Sequence, residues 1–158
     1  MTGPNATADA ERVWRRPMKG RVVNGVVCAV AAIAYVLIVG SLAASSPREE
    51  NLARTAATYA VICGLVVIPA IAVSVINIRG LRADDATARM SLRRDALIAA
   101  GSAGVLLVVG VACVVVGGAT ENAILLGLYA LLMPAFALGL AASTALGLKR
   151  SAVGVQPR

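Results

Sequence analysis

The residues of this chain that could carry nucleophilic or redox chemistry within apolar surroundings are three cysteines, and their spacing works against it. Cys28, Cys63 and Cys113 stand far apart in three different apolar stretches, so neither a close-spaced redox pair nor a thiolate metal cluster is available. An apolar setting raises a thiol's pKa and leaves it inert, so their expected role is packing. The chain has no histidine, which removes the commonest general base and metal ligand. Its long apolar stretches also lack Asp, Glu, Lys and Arg, the residues that mark proton relays, ion pathways and voltage sensors inside a bilayer. A proton-coupled pump, or an exporter built on an embedded carboxylate, is therefore disfavoured. No catalytic residue, cofactor or metal is expected.

Outside those stretches, Asp84-Asp85-Ala86-Thr87-Ala88-Arg89 resembles the start of the CDP-alcohol phosphotransferase signature, in which acidic residues hold metal ions against a pyrophosphate and an Ala-Arg pair follows. The run departs from that signature repeatedly. Asp85 stands where the family has Gly, Leu81 where it has its first Asp, Arg93 where it has a second Gly and Leu97 where it has another Asp. A solvated, charge-balanced loop fits better, with Asp85 and Arg89 at i and i+4 in the favourable acid-first order, a spacing by which the loop could extend the flanking helices.

The elements that position these residues follow from where charge is missing. Uncharged runs extend from Val22 to Pro47, Thr55 to Ile78, Ala96 to Thr120 and Asn122 to Leu148, each longer than the roughly 20 residues that cross a bilayer as a helix. Strands are excluded, because the runs are continuously apolar and show no period-two alternation. With 158 residues, 59% of them hydrophobic and 15% charged, and a mean hydropathy of +0.82, the chain has too little polar surface to cover a soluble core. The expected fold is an all-α integral membrane four-helix bundle, with spans at about residues 22–44, 56–78, 96–118 and 123–148.

Orientation follows from the basic residues. Thirteen flank the spans on one side, in segments 1–21, 79–95 and 149–158, and only Arg48 and Arg54 lie on the other. The positive-inside rule then puts both termini and the middle loop in the cytoplasm of a plasma-membrane protein, and an even number of spans agrees. The first span is read as a retained helix, because its apolar run exceeds the about 7–15 residues of a signal-peptide core. Met1–Glu11 and Ser151–Arg158 read as flexible tails. Spans three and four form an antiparallel hairpin through the turn-rich 117–122.

A net charge of +7 raises the question of a nucleic-acid partner. The charge is confined to short juxtamembrane segments with almost no aromatics for base stacking, so none is expected. Arg15, Arg16, Lys19 and Arg21 suit contact with anionic lipid headgroups, at about 1 kcal/mol per basic residue near the surface. Trp14 fits an interfacial anchor beside them.

Within the spans, small residues recur at helical spacing. Ala135, Gly139, Ser143 and Gly147 form a four-residue ridge on the fourth span, and the pairs Gly25/Ala29, Ala60/Gly64, Ala100/Gly104 and Ala123/Gly127 repeat the spacing elsewhere. Such ridges let helix backbones approach closely in lipid. Internal packing is the first reading for each, with the fourth span the best candidate for a face turned to a partner protein. Pro69 and Pro134 fall near mid-span and predict kinks, freeing the carbonyls of Leu65 and Ala130, for which Tyr129 or Ser74 could compete. Asn24, Asn77 and Asn122 read as amides close to membrane surfaces.

The stretch Pro17-Met18-Lys19-Gly20-Arg21-Val22-Val23-Asn24-Gly25, leading into an Ala- and Val-rich first span, resembles the small four-span mycobacterial membrane proteins that include lipid uptake coordinator B, an accessory subunit found with Mce (mammalian cell entry) lipid importers. The predominance of Arg over Lys suggests a GC-rich, actinobacterial source. The resemblance implies a non-catalytic subunit docked beside permease-like helices, with ATP hydrolysis and the lipid tunnel supplied by other chains. The leading expectation is thus an accessory subunit in a hetero-oligomer. A small oligomeric transporter or channel for an apolar solute, and a lipid enzyme using the middle loop, are the alternatives.

Overall fold

A computed structural model describes residues 4–45, 50–83, 86–117 and 121–153. These form four helices in chain order: α1 (Pro4–Ser45), α2 (Glu50–Arg82), α3 (Ala86–Gly117) and α4 (Glu121–Val153). Each is long and apolar enough to cross a membrane. At 1.5 Å per residue, the 33 residues of α2 extend about 50 Å, well past about 30 Å of hydrocarbon, so helical ends project beyond the apolar layer.

That length corrects one expectation and agrees with another. The stretch Met1–Glu11, read as a flexible tail, is helical from Pro4 onward. Proline suits the first turn of a helix, where its missing donor is not needed, and Ala6, Ala8, Ala10 and Glu11 are good helix formers. Over 79–95 the helices extend into the loop as its charge spacing allows, with α2 running to Arg82 and α3 starting at Ala86. Asp84 and Asp85, including the expected Asp85–Arg89 pair, lie outside the described residues, as do 154–158 of the C-terminal tail.

Successive helices are antiparallel. The core stacks in layers that each draw on opposite ends of neighbouring helices. At one end Met18 of α1 meets Ile76, Leu92, Ala96, Ala145 and Leu148. The next layers gather Val73, Ala99, Leu140 and Ala141, then Cys28, Ala29, Val66, Ala70, Ala103 and Ala137. At the far end Tyr59, Ile62, Cys63 and Ala130 pack with Tyr35, Val36 and Val114. Both described chain ends therefore lie at the end marked by Met18 and Leu148. The bundle is flattened: α2 and α4 meet across its centre, while the backbones of α1 and α3 do not come close to each other among the described residues.

Side-chain size sorts the inside from the outside. Eleven of the buried apolar residues are alanines, whereas Val, Ile and Leu side chains such as Val30, Leu37, Ile68, Val108 and Leu132 cover the outer surface. A water-soluble bundle places its large aliphatic residues inside. Here hydrocarbon already solvates them, so burying them gains little, and small residues that allow close backbone packing win the core. Gly25 shows how tight this is, because a Cβ added there would collide with Ser74 Oγ of α2, which donates to the carbonyls of Ala70 (3.1 Å) and Val22 (3.4 Å).

Gly25→Val is accordingly expected to lower stability in detergent by about 1–3 kcal/mol through overpacking. Gly139→Val, where an added Cβ meets nothing within 4 Å, is expected to leave it unchanged. Reversible unfolding of the two variants in mixed micelles compares them directly. Equal losses would mean that the inward and outward faces are misassigned.

Candidate partner face and lipid-contact residues

The inward face of α4 is built from Gly127, Ala130, Pro134, Ala137, Ala141, Thr144, Ala145 and Leu148, all buried. Nine residues separate Ala130 from Gly139. At 3.6 residues per turn that is about two and a half turns, so the two stand on opposite sides of the helix. Ala135 and Gly139 are exposed, and Ser143 is half-buried with its hydroxyl donated to the carbonyl of Leu140 at 2.9 Å. Exposed Leu132, Phe136 and Leu146 rise around Gly139, leaving a shallow notch on the outer surface.

The fourth member of the ridge departs from the others. A four-residue repeat on a 3.6-residue helix drifts by about 40° per step, so Gly147 comes round toward α1. Its missing side chain makes room for the guanidinium of Arg21, with which an added Cβ would collide. The structure thus joins two residues that the sequence placed in different sites. Arg21 is half-buried across α4, and Lys19 beside it is exposed. Arg15 and Arg16 lie on α1 close by, their side chains outside the described set. Arg79, Arg82, Arg94, Lys149 and Arg150 are exposed at the same end, so the described helices gather every basic residue there except Arg54.

Among the shorter repeats, Gly25, Ala29 and Gly127 are buried, and Ala60, Gly64, Ala100 and Gly104 are half-buried. Internal packing therefore accounts for these. The Ala135–Gly139 pair is the one that faces away from the bundle.

Pro69 and Pro134 are buried inside unbroken helices. Pro134 leaves the Ala130 carbonyl without its helical donor, and the thiol of Cys63 takes that place at 3.7 Å. Neither residue expected to compete for it does so. Tyr129 is exposed on the outer surface, and Ser74 serves Ala70 and Val22. Cys28 makes a similar weak bond to the Met133 carbonyl at 3.9 Å, so two of the three cysteines hold α4 from the facing helices α1 and α2.

Two buried polar residues carry more than the sequence indicated. Asn77, expected close to a membrane surface, is wholly buried where α2 meets α4. Its Nδ2 donates to Val73 O at 2.8 Å and to Thr144 Oγ1 at 3.0 Å, and Thr144 in turn donates to Leu140 O at 2.9 Å. Arg89 is 7% exposed and folds back so that Nε and Nη2 both donate to Ala83 O, at 3.2 and 3.0 Å. A cation there satisfies a carbonyl just past the end of α2 and opposes the negative end of its dipole. The Asn77–Thr144 contact depends on which helix lies opposite, and the Arg89–Ala83 contact on how the chain turns between α2 and α3, so no spacing within the sequence announces either. Among the described residues, no group of three or more His, Cys, Asp or Glu could hold a metal ion.

These features define a multi-pass membrane protein: a four-helix bundle with small residues inside, large aliphatic residues outside and basic residues at the end that holds the described chain ends. No protein-family model, curated protein or solved structure matches the chain.

Arg89→Ala is expected to lower stability by about 1.5–3 kcal/mol, the worth of hydrogen bonds made by a charged donor. The neighbouring exposed Arg94→Ala is expected to have no measurable effect. Unfolding of both in lipid nanodiscs is the check, and indistinguishable curves would remove Arg89 from the structural account.

Proposed function

We propose that this chain is a non-catalytic accessory subunit that docks against a larger assembly of the plasma membrane, best matched to a lipid importer of the Mce type. The notch at Ala135 and Gly139 carries this reading. In lipid, an outward small-residue pair offers a second helix the close backbone contact that drives association. The bundle does not use that pair for itself, because its own α4 contacts run along the opposite face. Permease-like helices are the partners of matching chemistry. The resemblance of Pro17–Gly25 to the small subunits of Mce importers points to the kind of assembly.

Orientation belongs to the same proposal. The basic end faces the cytoplasm, where Lys19, Arg82, Lys149 and Arg150 meet anionic headgroups, and both termini share that side. The opposite end keeps Arg54 as its described basic residue.

Purification in mild detergent from cells expressing the tagged chain at native level tests this. Recovery of defined lipid-transport subunits is expected, and Gly139→Leu is expected to reduce their recovery at least about tenfold, a loss of roughly 1.4 kcal/mol, without changing the melting curve. A chain that emerges alone and also moves an apolar solute in proteoliposomes would establish the transporter alternative instead.

A further inference from the structure

Arg21 is the last charged residue before the uncharged run of α1, and Lys149 and Arg150 are the first after that of α4, so the two helices leave the apolar layer at the same end. They pack against each other, and the guanidinium of Arg21 crosses from α1 to α4. It lies over Gly147, where an added Cβ would collide with Nη1 and stand 3.2 Å from Cζ. Arg150 follows Gly147 by three residues, close to one helical turn, and so rises from the same side of α4 nearer its end.

Two cations are thus brought together with nothing described to oppose them. Arg21 is half-buried, and among the described residues no hydrogen bond or ion pair engages it. The charge that bears on it is that of Arg150, also positive. Asp95, the acid whose side chain is described, is exposed on α3, whose backbone does not approach α1. Arg89 differs, because both its donors are spent on the Ala83 carbonyl. A half-buried cation beside a second one is costly until an anion joins them. Height and shape select that anion. The pair stands at the edge of the apolar layer, where phospholipid phosphates lie, and guanidinium forks match phosphate oxygens. Basic pockets between membrane helices suit anionic headgroups, whereas phosphatidylcholine brings a cation of its own.

We propose that Arg21 and Arg150 together bind the phosphate of one anionic phospholipid where α1 meets α4. Arg21 supplies the inner half of the site, seated in the space that Gly147 leaves, and Arg150 the outer half. The assignment rests on the reading that places this end at headgroup level, and it needs no partner protein. It goes beyond a diffuse attraction of exposed cations, because one lipid is given one place.

Native mass spectrometry of the purified full-length protein, released from micelles holding phosphatidylglycerol and phosphatidylcholine in equal amounts, reads which lipid stays bound. One phosphatidylglycerol per chain is expected, in preference to phosphatidylcholine. Arg21→Gln and Arg150→Gln are each expected to lower its retention at least about tenfold, as for loss of one charged hydrogen bond. Gly147→Ala keeps every charge but displaces the Arg21 guanidinium, and is expected to lower retention as well. Arg94→Gln removes the same charge from an exposed position on α3 and is expected to leave retention unchanged. Melting curves establish that each variant is folded. Equal losses in the three Arg variants, with none in Gly147→Ala, overturn the site and leave the diffuse attraction standing. Retention of phosphatidylglycerol no greater than that of phosphatidylcholine in the unaltered protein overturns the headgroup reading together with the site. Displacement of the bound lipid by inorganic phosphate overturns the choice of a phospholipid.

Discussion

Hydrocarbon offers no hydrogen bonds, and that constraint governs most of what is seen in this chain. Every backbone group in the membrane must be satisfied from within, so each apolar stretch becomes a helix before it packs. Once the helices stand in lipid, burying a valine gains little, and alanine dominates the core beside a minority of the valines, isoleucines and leucines, most of which turn outward. The same solvent makes each departure from the helical ladder consequential. Pro134 frees a carbonyl, and a thiol on another helix takes it up; Asn77 brings an amide into the centre, and Thr144 answers it.

These polar contacts also fix register. Small-residue surfaces are smooth, and helices meeting through them could slide by a turn at little cost. Asn77 to Thr144, Tyr35 to the Leu126 carbonyl and Cys63 to the Ala130 carbonyl each tie one height of α4 to one height of α1 or α2. At the basic end Arg89 does the same for the connection between α2 and α3 by closing on Ala83. Low-dielectric surroundings strengthen such contacts relative to water, so a few of them suffice.

The fold class was legible from where charge is absent, and the shared end of the described chain ends from the distribution of arginine. The helix ends were less legible: the uncharged runs mark the apolar layer, whereas the helices continue through Arg79 and Arg82 and back to Pro4. Facing could not be read at all. In a soluble helix the apolar stripe reports the core, but α4 is apolar on every side, so nothing in its composition distinguishes Ala130 from Gly139. The same ambiguity hid the contact of Asn77, whose position in the sequence gives its height in the bilayer but not the direction in which its helix turns it. That Arg89 closes on the Ala83 carbonyl is likewise shown only by the fold.

The site assignments rest on this inside-out order. The notch on α4 is proposed as a partner face because the bundle leaves it to the lipid. Spin labels placed singly at Val30, Val108 and Leu132 in proteoliposomes test that order most directly, through relaxation by oxygen, which concentrates in lipid, and by a nickel chelate, which stays in water. All three positions are expected to relax strongly with oxygen and weakly with the chelate, and a label at Ala137 weakly with both. Strong relaxation by the chelate at the three outer positions would mean that water, not hydrocarbon, bathes the bundle.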